Sequence, residues 1–269
     1  MRIKAVLSDF DETLVDLEGN YDKRIPALIK KLTSKNIHFS LATGRSSYGP
    51  AGKIINELKI SDYHIFHGGS LILNTQDNKI HWYQPISDYS IDKIVHYFKK
   101  RRLIFSLELK DRVYLSKIIE TPAYSREVNI KKLNMNKIPS GVLKILLIAI
   151  ANKLSEKQID ILIKKIEEAC KDVKVIKFRR YEYFGFDVTS EKASKHTAVL
   201  EYAKILKLNH EEMIGIGDGY NDYPLFTACG YKIAMGNAPK ELLEIADKVV
   251  STVENGGMIE ALEHIISML

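Results

Sequence analysis

The chain has 269 residues, 45% hydrophobic and 28% charged, with a formal net charge of +6, which suits one large domain or two modest ones around a sizeable core and argues against a disordered or fibrous chain. The longest apolar run, Ile145 to Ala151, falls far short of the ~20 residues a membrane-spanning helix needs. Met1-Arg2-Ile3-Lys4 does not open a secretion signal, and Cys170 and Cys229 make no disulfide framework, so a cytoplasmic protein with no membrane partner is expected.

In chain order, Ile3 to Leu7 reads as a buried strand. A helix is predicted from about Asp22, with Pro26 in its first turn and Ile25, Leu28, Ile29 and Leu32 along one face. A strand from Ile37 to Ala42, a helix through about Leu58 and a strand from Tyr63 to Phe66 come next, leading into His67-Gly68-Gly69. This order predicts a parallel sheet with right-handed crossovers.

Residues 84–187 read as an inserted α+β unit. Strands are predicted at Leu103 to Leu109, Val113 to Ser116, Leu143 to Ile150, Val173 to Phe178 and Tyr183 to Val188, with a helix from Ser155 to Cys170. Residues 188–269 resume the first pattern. Ser194 caps a helix carrying Val199, Leu200, Ala203 and Leu206, and a strand comes after it at Met213 to Ile216. Asp222 stands where it would cap a short helix with Pro224 in its first turn. Strand Lys232 to Met235, helix Pro239 to Ala246, strand Lys248 to Val250 and a helix from about Met258 complete the chain.

Lys99-Lys100-Arg101-Arg102, the densest basic cluster, suits a solvated helix end. No nucleic-acid motif accompanies it, so no nucleic-acid partner is expected. Cys170 and Cys229 fall on predicted helices as core thiols, Asp16 on a loop, and His67 and Ser70 on a strand-end loop. No Gly-rich dinucleotide or P-loop motif is present in the sequence, so no nucleotide cofactor is expected.

The informative polar residues stand at the ends of the apolar strands, because open parallel sheets bind ligands beyond their carboxyl ends. Asp9 and Asp11 come after the first strand, Thr43-Gly44-Arg45 after the second, and Gly217 to Asp222 after the strand at Met213; Lys195 opens a helix. Each alone is ordinary turn or surface chemistry. Together, in this order, they point to phosphoryl transfer. A carboxylate can attack phosphorus. Asp11, two residues on, can protonate the leaving oxygen if neighbouring negative charge keeps it neutral. Oxygen-only ligands around a phosphate select Mg²⁺, with Asp9 and Asp218 as natural ligands. Thr43, the Gly44 amide and Lys195 supply donors and positive charge to the phosphoryl oxygens.

Asp9 to Leu14, Ala42-Thr43-Gly44-Arg45, Lys195 and Gly217-Asp218-Gly219-Tyr220-Asn221-Asp222 resemble the four signature motifs of the haloacid dehalogenase superfamily. The insert resembles the type IIB cap of its Cof-type phosphatases, and Ala234 to Ala238 is similar to the segment after their fourth motif. The resemblance implies a Rossmann-like α/β core from residues 1–83 and 188–269, with an α+β cap at 84–187. It implies Asp9 as nucleophile, Asp11 as acid and then base, and Thr43 and Lys195 as further catalytic groups. Thr43, Gly44, Arg45, Lys195 and Asn221 would meet the phosphate. Mg²⁺ would be held by Asp9, the Asp11 backbone carbonyl and Asp218, with Asp222 orienting the metal shell. Glu12 and His67-Gly68-Gly69 depart from the commoner residues of the subfamily.

The expected activity is hydrolysis of small phosphorylated metabolites, sugar phosphates first, with flavin mononucleotide and pyridoxal phosphate as further candidates. A phosphomutase or a non-enzymatic phosphosugar-binding protein are the alternatives. A monomer is the default. Arg179, Arg180, Tyr181 and Tyr183 are candidate contacts of the insert, although a solvated turn is the commoner role for such residues.

Overall fold

The computed structural model describes residues 2–119, 129–180 and 182–269. The first stretch runs β1 (Ala5–Ser8), α1 (Ile25–Thr33), β2 (His38–Leu41), α2 (Pro50–Glu57), β3 (Tyr63–Phe66), β4 (Leu71–Asn74) and β5 (Lys79–Tyr83). The middle holds α3 (Asp88–Lys100), β6 (Phe105–Glu108), β7 (Val113–Leu115), β8 (Ile130–Lys132), β9 (Lys144–Leu147), α4 (Ala149–Asn152), α5 (Glu156–Ala169), β10 (Val173–Arg180) and β11 (Tyr183–Ser190). The last stretch is α6 (Lys195–Leu206), β12 (Met213–Gly217), α7 (Tyr223–Thr227), β13 (Tyr231–Ala234), α8 (Lys240–Ile245), β14 (Lys248–Val249) and α9 (Gly257–Ser267). Among the described residues no helix is long and apolar enough to cross a membrane.

Two compact units form. One holds Met1–Arg45, Ala51–Trp82 and Ser194–Leu269; the other holds Ser46–Pro50 and Tyr83–Ala193. The first unit is built on a parallel sheet of order β14-β13-β12-β1-β2. From β1 the chain winds one way to β2 and later returns to β12 on the other side. A crevice therefore opens between the carboxyl ends of β1 and β12, where such sheets bind ligands. Every residue of β1 and β12 is buried, as continuous apolar runs in a doubly covered parallel sheet require. Helix α6 packs Ala198, Val199 and Tyr202 with Ala5 and Leu7 of β1 in one core. Ser40 Oγ of β2 donates to the Tyr202 hydroxyl at 2.9 Å, which ties this helix to the sheet.

The third strand does not extend the parallel sheet. β3 meets the end of β2 at a single bridge, Ala42 with Ile65, and pairs antiparallel with β4 in a separate sheet of order β3-β4-β5. The reason is local. The Leu41 N–H donates to His64 Nδ1 at 2.9 Å, so a side chain takes the donor that a neighbouring strand would otherwise satisfy.

The second unit carries a six-stranded sheet of order β10-β11-β9-β6-β7-β8. Apolar residues alternate toward one face: Phe105 and Leu107, Ile145 and Leu147, Phe186 and Val188 pack with α3 and α5. Ring centroids of Phe98 and Phe105 lie 5.2 Å apart, and those of Phe98 and Phe186 6.0 Å apart, so aromatic packing anchors α3. The strand expected to run to Ile150 stops at Leu147 and turns into α4. Asn152 Nδ2 donates to the carbonyls of Ile104 and Ile148 and closes that turn. Cys170 and Cys229 are buried, but each lies just past a helix end rather than on a helix. Of the four candidate contacts in the insert, Tyr181 lies outside the described residues. Arg179 is exposed on β10, with its guanidinium 5.7 Å from the Phe184 ring centroid, and Tyr183 begins β11.

Candidate active site

Asp9 leaves the sheet directly after β1. Its backbone N–H donates to the Ile216 carbonyl of β12 at 2.9 Å, so the two central strands are joined where the carboxylate emerges. Lys195 arrives from the opposite direction as the first residue of α6. Ser194 caps that helix through a reciprocal box with Thr197, which fixes where the helix starts. The turn after β3 presses on the same point. Gly69 has φ 107°, and a Cβ there would collide with the Ser194 carbonyl. Glycine is therefore required for His67-Gly68-Gly69 to back the start of α6. His67 and Ser70 are buried in this turn.

Lys195 is buried, and Nζ donates to Asp9 Oδ1 at 2.5 Å and to Asp222 Oδ1 at 2.6 Å. The other oxygen of Asp222 accepts from the backbone N–H groups of Asp218 and Gly219, both at 3.0 Å. Asp222 stands at the start of α7, but its side chain does not cap that helix; it shapes the loop after β12 and steadies the lysine. A Cβ on Gly217 would come within 2.6 Å of the Asp222 side chain, so the loop can fold this tightly only with glycine there. Asp218 is held from two sides. Thr13 Oγ1 donates to Oδ1 at 2.7 Å, and Asn237 Nδ2 donates to Oδ2 at 3.0 Å.

Carboxylate oxygens of Asp9, Asp218 and Asp222 lie within 4.8 Å of one another. Burial, then the charge of Asp222, raises Asp9 well above the usual carboxylate range, against the pull of Lys195. Burial and Asp222 push Asp218 up to about 7. Burial pulls the Lys195 ammonium down, but Asp222 and Asp9 outweigh it and hold the group above the usual lysine range. One ammonium against three crowded carboxyl groups leaves an excess of acidic groups in a mostly buried site, where a bound cation would favour the ionised forms that burial disfavours. An all-oxygen donor set with that excess fits a hard divalent cation such as Mg²⁺.

The other expected residues distribute differently. Thr43 is buried, and its Oγ1 accepts from the Arg45 N–H at 3.1 Å. Nothing lies within 4 Å of the place a Cβ would take on Gly44, so the strand-end loop is open there. The Arg45 side chain lies on Asp11: Nε and Nη2 donate to its two carboxylate oxygens at 2.8 and 2.7 Å. Asn221 is exposed on the turn after β12, with Oδ1 close over Gly219 rather than in the carboxylate cluster. Asp16 forms a loop of its own, accepting from the backbone of Glu18 and Asn20.

Sequence reasoning gives no role to Thr13 or Asn237, although both lie in motif segments. The signal was their polar type next to residues that must hold charge; the partner, Asp218, is 205 residues from one and 19 from the other.

A haloacid dehalogenase-like hydrolase family model matches residues 6–262. A Bacillus subtilis protein named "Putative phosphatase YxeH" is 25% identical, over 98% of each chain. A crystal structure of a haloacid dehalogenase-like hydrolase from Bacteroides thetaiotaomicron superposes with a TM-score of 0.83 at 20% identity, over 98% of this chain and 100% of that one. A haloacid dehalogenase subclass IIB sugar phosphatase gives 0.78 at 19%, over 97% and 98%. The strand-end carboxylates, the sheet order and the match along nearly the whole sequence agree: this chain belongs to the haloacid dehalogenase-like hydrolases.

Proposed function

We propose that the protein is a Mg²⁺-dependent phosphomonoester hydrolase that works through an aspartyl-phosphate on Asp9. The observation that carries this reading is the placement of the Asp9 carboxylate at the end of β1, hydrogen-bonded to Lys195 and within 4.8 Å of Asp218 and Asp222. A carboxylate oxygen of Asp9 attacks phosphorus, and the bond from phosphorus to the ester oxygen breaks. The leaving oxygen takes a proton from Asp11 and departs as an alcohol. Water then attacks phosphorus, giving its proton to Asp11; the bond to Asp9 breaks and inorganic phosphate leaves. Lys195, the Thr43 hydroxyl and the Gly44 amide meet the charge on the phosphoryl oxygens. Asp9, the Asp11 carbonyl and Asp218 would hold the cation. Bound there, it neutralises phosphoryl charge and favours the ionised nucleophile.

Both oxygens of Asp11 are taken by Arg45 in this structure, so the acid step requires Arg45 to yield one oxygen to the proton while it keeps the carboxyl group oriented through the other. Sugar phosphates are the leading substrate class, supported by the sugar phosphatase of like fold. The test is phosphate release from a panel of small phosphate esters with Mg²⁺, beside EDTA and Asp9→Asn. Release that disappears in both controls supports the reading, and equal release by Asp9→Asn overturns it.

A further inference from the structure

The second unit carries a groove of about 420 Å³ between α3 and α5, within the size range of small-ligand sites. The groove lies wholly within that unit, whereas Asp9, Lys195, Asp218 and Asp222 all belong to the first. Its floor is apolar, formed by the buried Ile94, Ile166 and Cys170. Its rim is basic. Lys93 and Lys100 of α3, Arg101 just past that helix and Lys165 of α5 line it, and all four are exposed. Among the described residues that line the groove there is no carboxylate. Glu168 balances one of the four charges, meeting Lys165 at 2.9 Å, and the rim keeps an excess of positive charge.

Lys100 and Arg101 belong to the densest basic cluster of the sequence, and a helix end accounts for cations there. It does not account for Lys93, in the first half of α3. Like charges gathered round an apolar floor repel one another and do nothing for the fold. Tyr97 supplies an independent observation. It lines the same groove, its ring packs on the apolar core, and the Arg101 guanidinium lies 3.8 Å from the ring centroid. Its hydroxyl is buried and, among the described residues, has no hydrogen-bond partner. A buried tyrosine hydroxyl normally finds a partner, and leaving it without one costs stability that a phenylalanine would not.

We infer that this groove binds a nucleoside polyphosphate, a flat ring system joined through a sugar to a chain of phosphates. Lys93 and Lys100 are seven residues apart on one helix, which is about 10 Å along its axis. A single phosphate does not span that distance, and a phosphate chain with its nucleoside does. The base stacks on the guanidinium of Arg101, whose plane suits such rings, and covers the apolar floor. A polar edge of the base takes the Tyr97 hydroxyl. The phosphates run along the rim toward Lys93, in charge-assisted hydrogen bonds. Side-chain cations on two helices here take the part that a Gly-rich loop plays elsewhere. The site stands on its own geometry and does not rest on the proposed hydrolysis.

The test is isothermal titration of the full-length protein with the β,γ-imido analogue of ATP in EDTA, beside inorganic triphosphate and adenosine alone. One analogue is expected to bind per chain, with triphosphate and adenosine each at least about ten-fold weaker, since each forfeits the contacts of the other half. Lys93→Glu and Arg101→Ser are each expected to weaken the analogue by about ten-fold or more, the scale of a lost hydrogen bond to a charged group. Tyr97→Phe should weaken it about three- to ten-fold, as the loss of a neutral hydrogen bond does, while its melting temperature holds or rises. A purely structural tyrosine would not separate the two. Lys30→Glu, at an exposed lysine of α1, should leave the affinity unchanged. No binding at millimolar analogue, equal affinity in Lys93→Glu or in Tyr97→Phe, triphosphate as tight as the analogue, or an equal loss in Lys30→Glu would overturn the inference.

Discussion

Arg45 grips Asp11 with two near-parallel hydrogen bonds, from Nε at 2.8 Å and Nη2 at 2.7 Å, filling both carboxylate oxygens. The strand-end sequence Thr43-Gly44-Arg45 therefore serves the residue two positions after the nucleophile as well as any phosphate. A guanidinium fork holds a carboxylate in one orientation, which a lysine cannot do. Arg45→Lys is expected to lower kcat about 100-fold on an alkyl phosphate, the scale of a misplaced catalytic group. On an aryl phosphate, whose leaving group needs no proton, the loss should be much smaller. Steady-state kinetics on the two esters check this, and equal losses would remove Asp11 from the acid role.

Asp218 is positioned by Thr13 and Asn237, which occupy its two oxygens. Groups that orient a metal ligand are worth about 10- to 100-fold in metal affinity. Asn237→Leu is expected to raise the Mg²⁺ concentration for half-maximal activity by that factor, with most of kcat recovered at saturation. A Mg²⁺ titration of phosphate release decides; an unchanged midpoint would mean that Asp218 does not hold the cation.

Lys195→Met leaves Asp9 and Asp222 buried without their ammonium. Removing one partner from a buried charge cluster costs about 3–5 kcal/mol. In EDTA the variant should unfold at lower urea by that amount, and Mg²⁺ should restore part of the loss, because a cation bound only by the fold stabilises it. Phosphate release should be lost in either condition. A variant as stable as the parent in EDTA would contradict the charge account of the site.

His64 gives the fold an acid-side weakness. Burial pulls its imidazole down from 6.5 to about 4. Between those values the unfolded chain binds a proton that the folded chain refuses. The stability is full above 6.5 and falls as pH drops toward 4, by roughly 3 kcal/mol. His38 has the opposite sign. Its hydrogen bond to Asp62 raises it, so its contribution is present below 6.5 and is lost as pH rises through the folded value. His64→Gln is expected to flatten the fall in urea midpoint between pH 7 and pH 5. An unchanged slope would assign the acid loss elsewhere.

The central strands and their acidic ends were legible because a buried parallel strand is an unbroken apolar run, and Asp9 and Asp218 interrupt such runs abruptly. Ser194 was legible for a similar reason, as a capping residue before an amphipathic segment. Arg45 was not, because its partner Asp11 is 34 residues away and the local pattern suits a phosphate equally well. Asp222 occupied a helix-capping position in the sequence, yet its carboxylate serves Lys195 and two amides. His64 hid the break between β2 and β3, since nothing in a strand of alternating residues shows that an imidazole takes a backbone N–H. In the second unit, Lys144 interrupts the apolar stretch from Val142 to Ile150; register, not periodicity, sets it between Glu108 and Thr189.

The claim on which the account turns is that Asp9 becomes phosphorylated. The direct measurement is acid-quenched single turnover with a substrate carrying labelled phosphate, with mass spectrometry of the protein afterwards. The account predicts transient label on the peptide containing Asp9, labile to hydroxylamine as an acyl phosphate is, and absent from Asp9→Asn. Label on another residue, or turnover of an aryl phosphate with no labelled protein at any quench time in Asp11→Asn, where only the second step is slowed because this leaving group needs no proton, would contradict it.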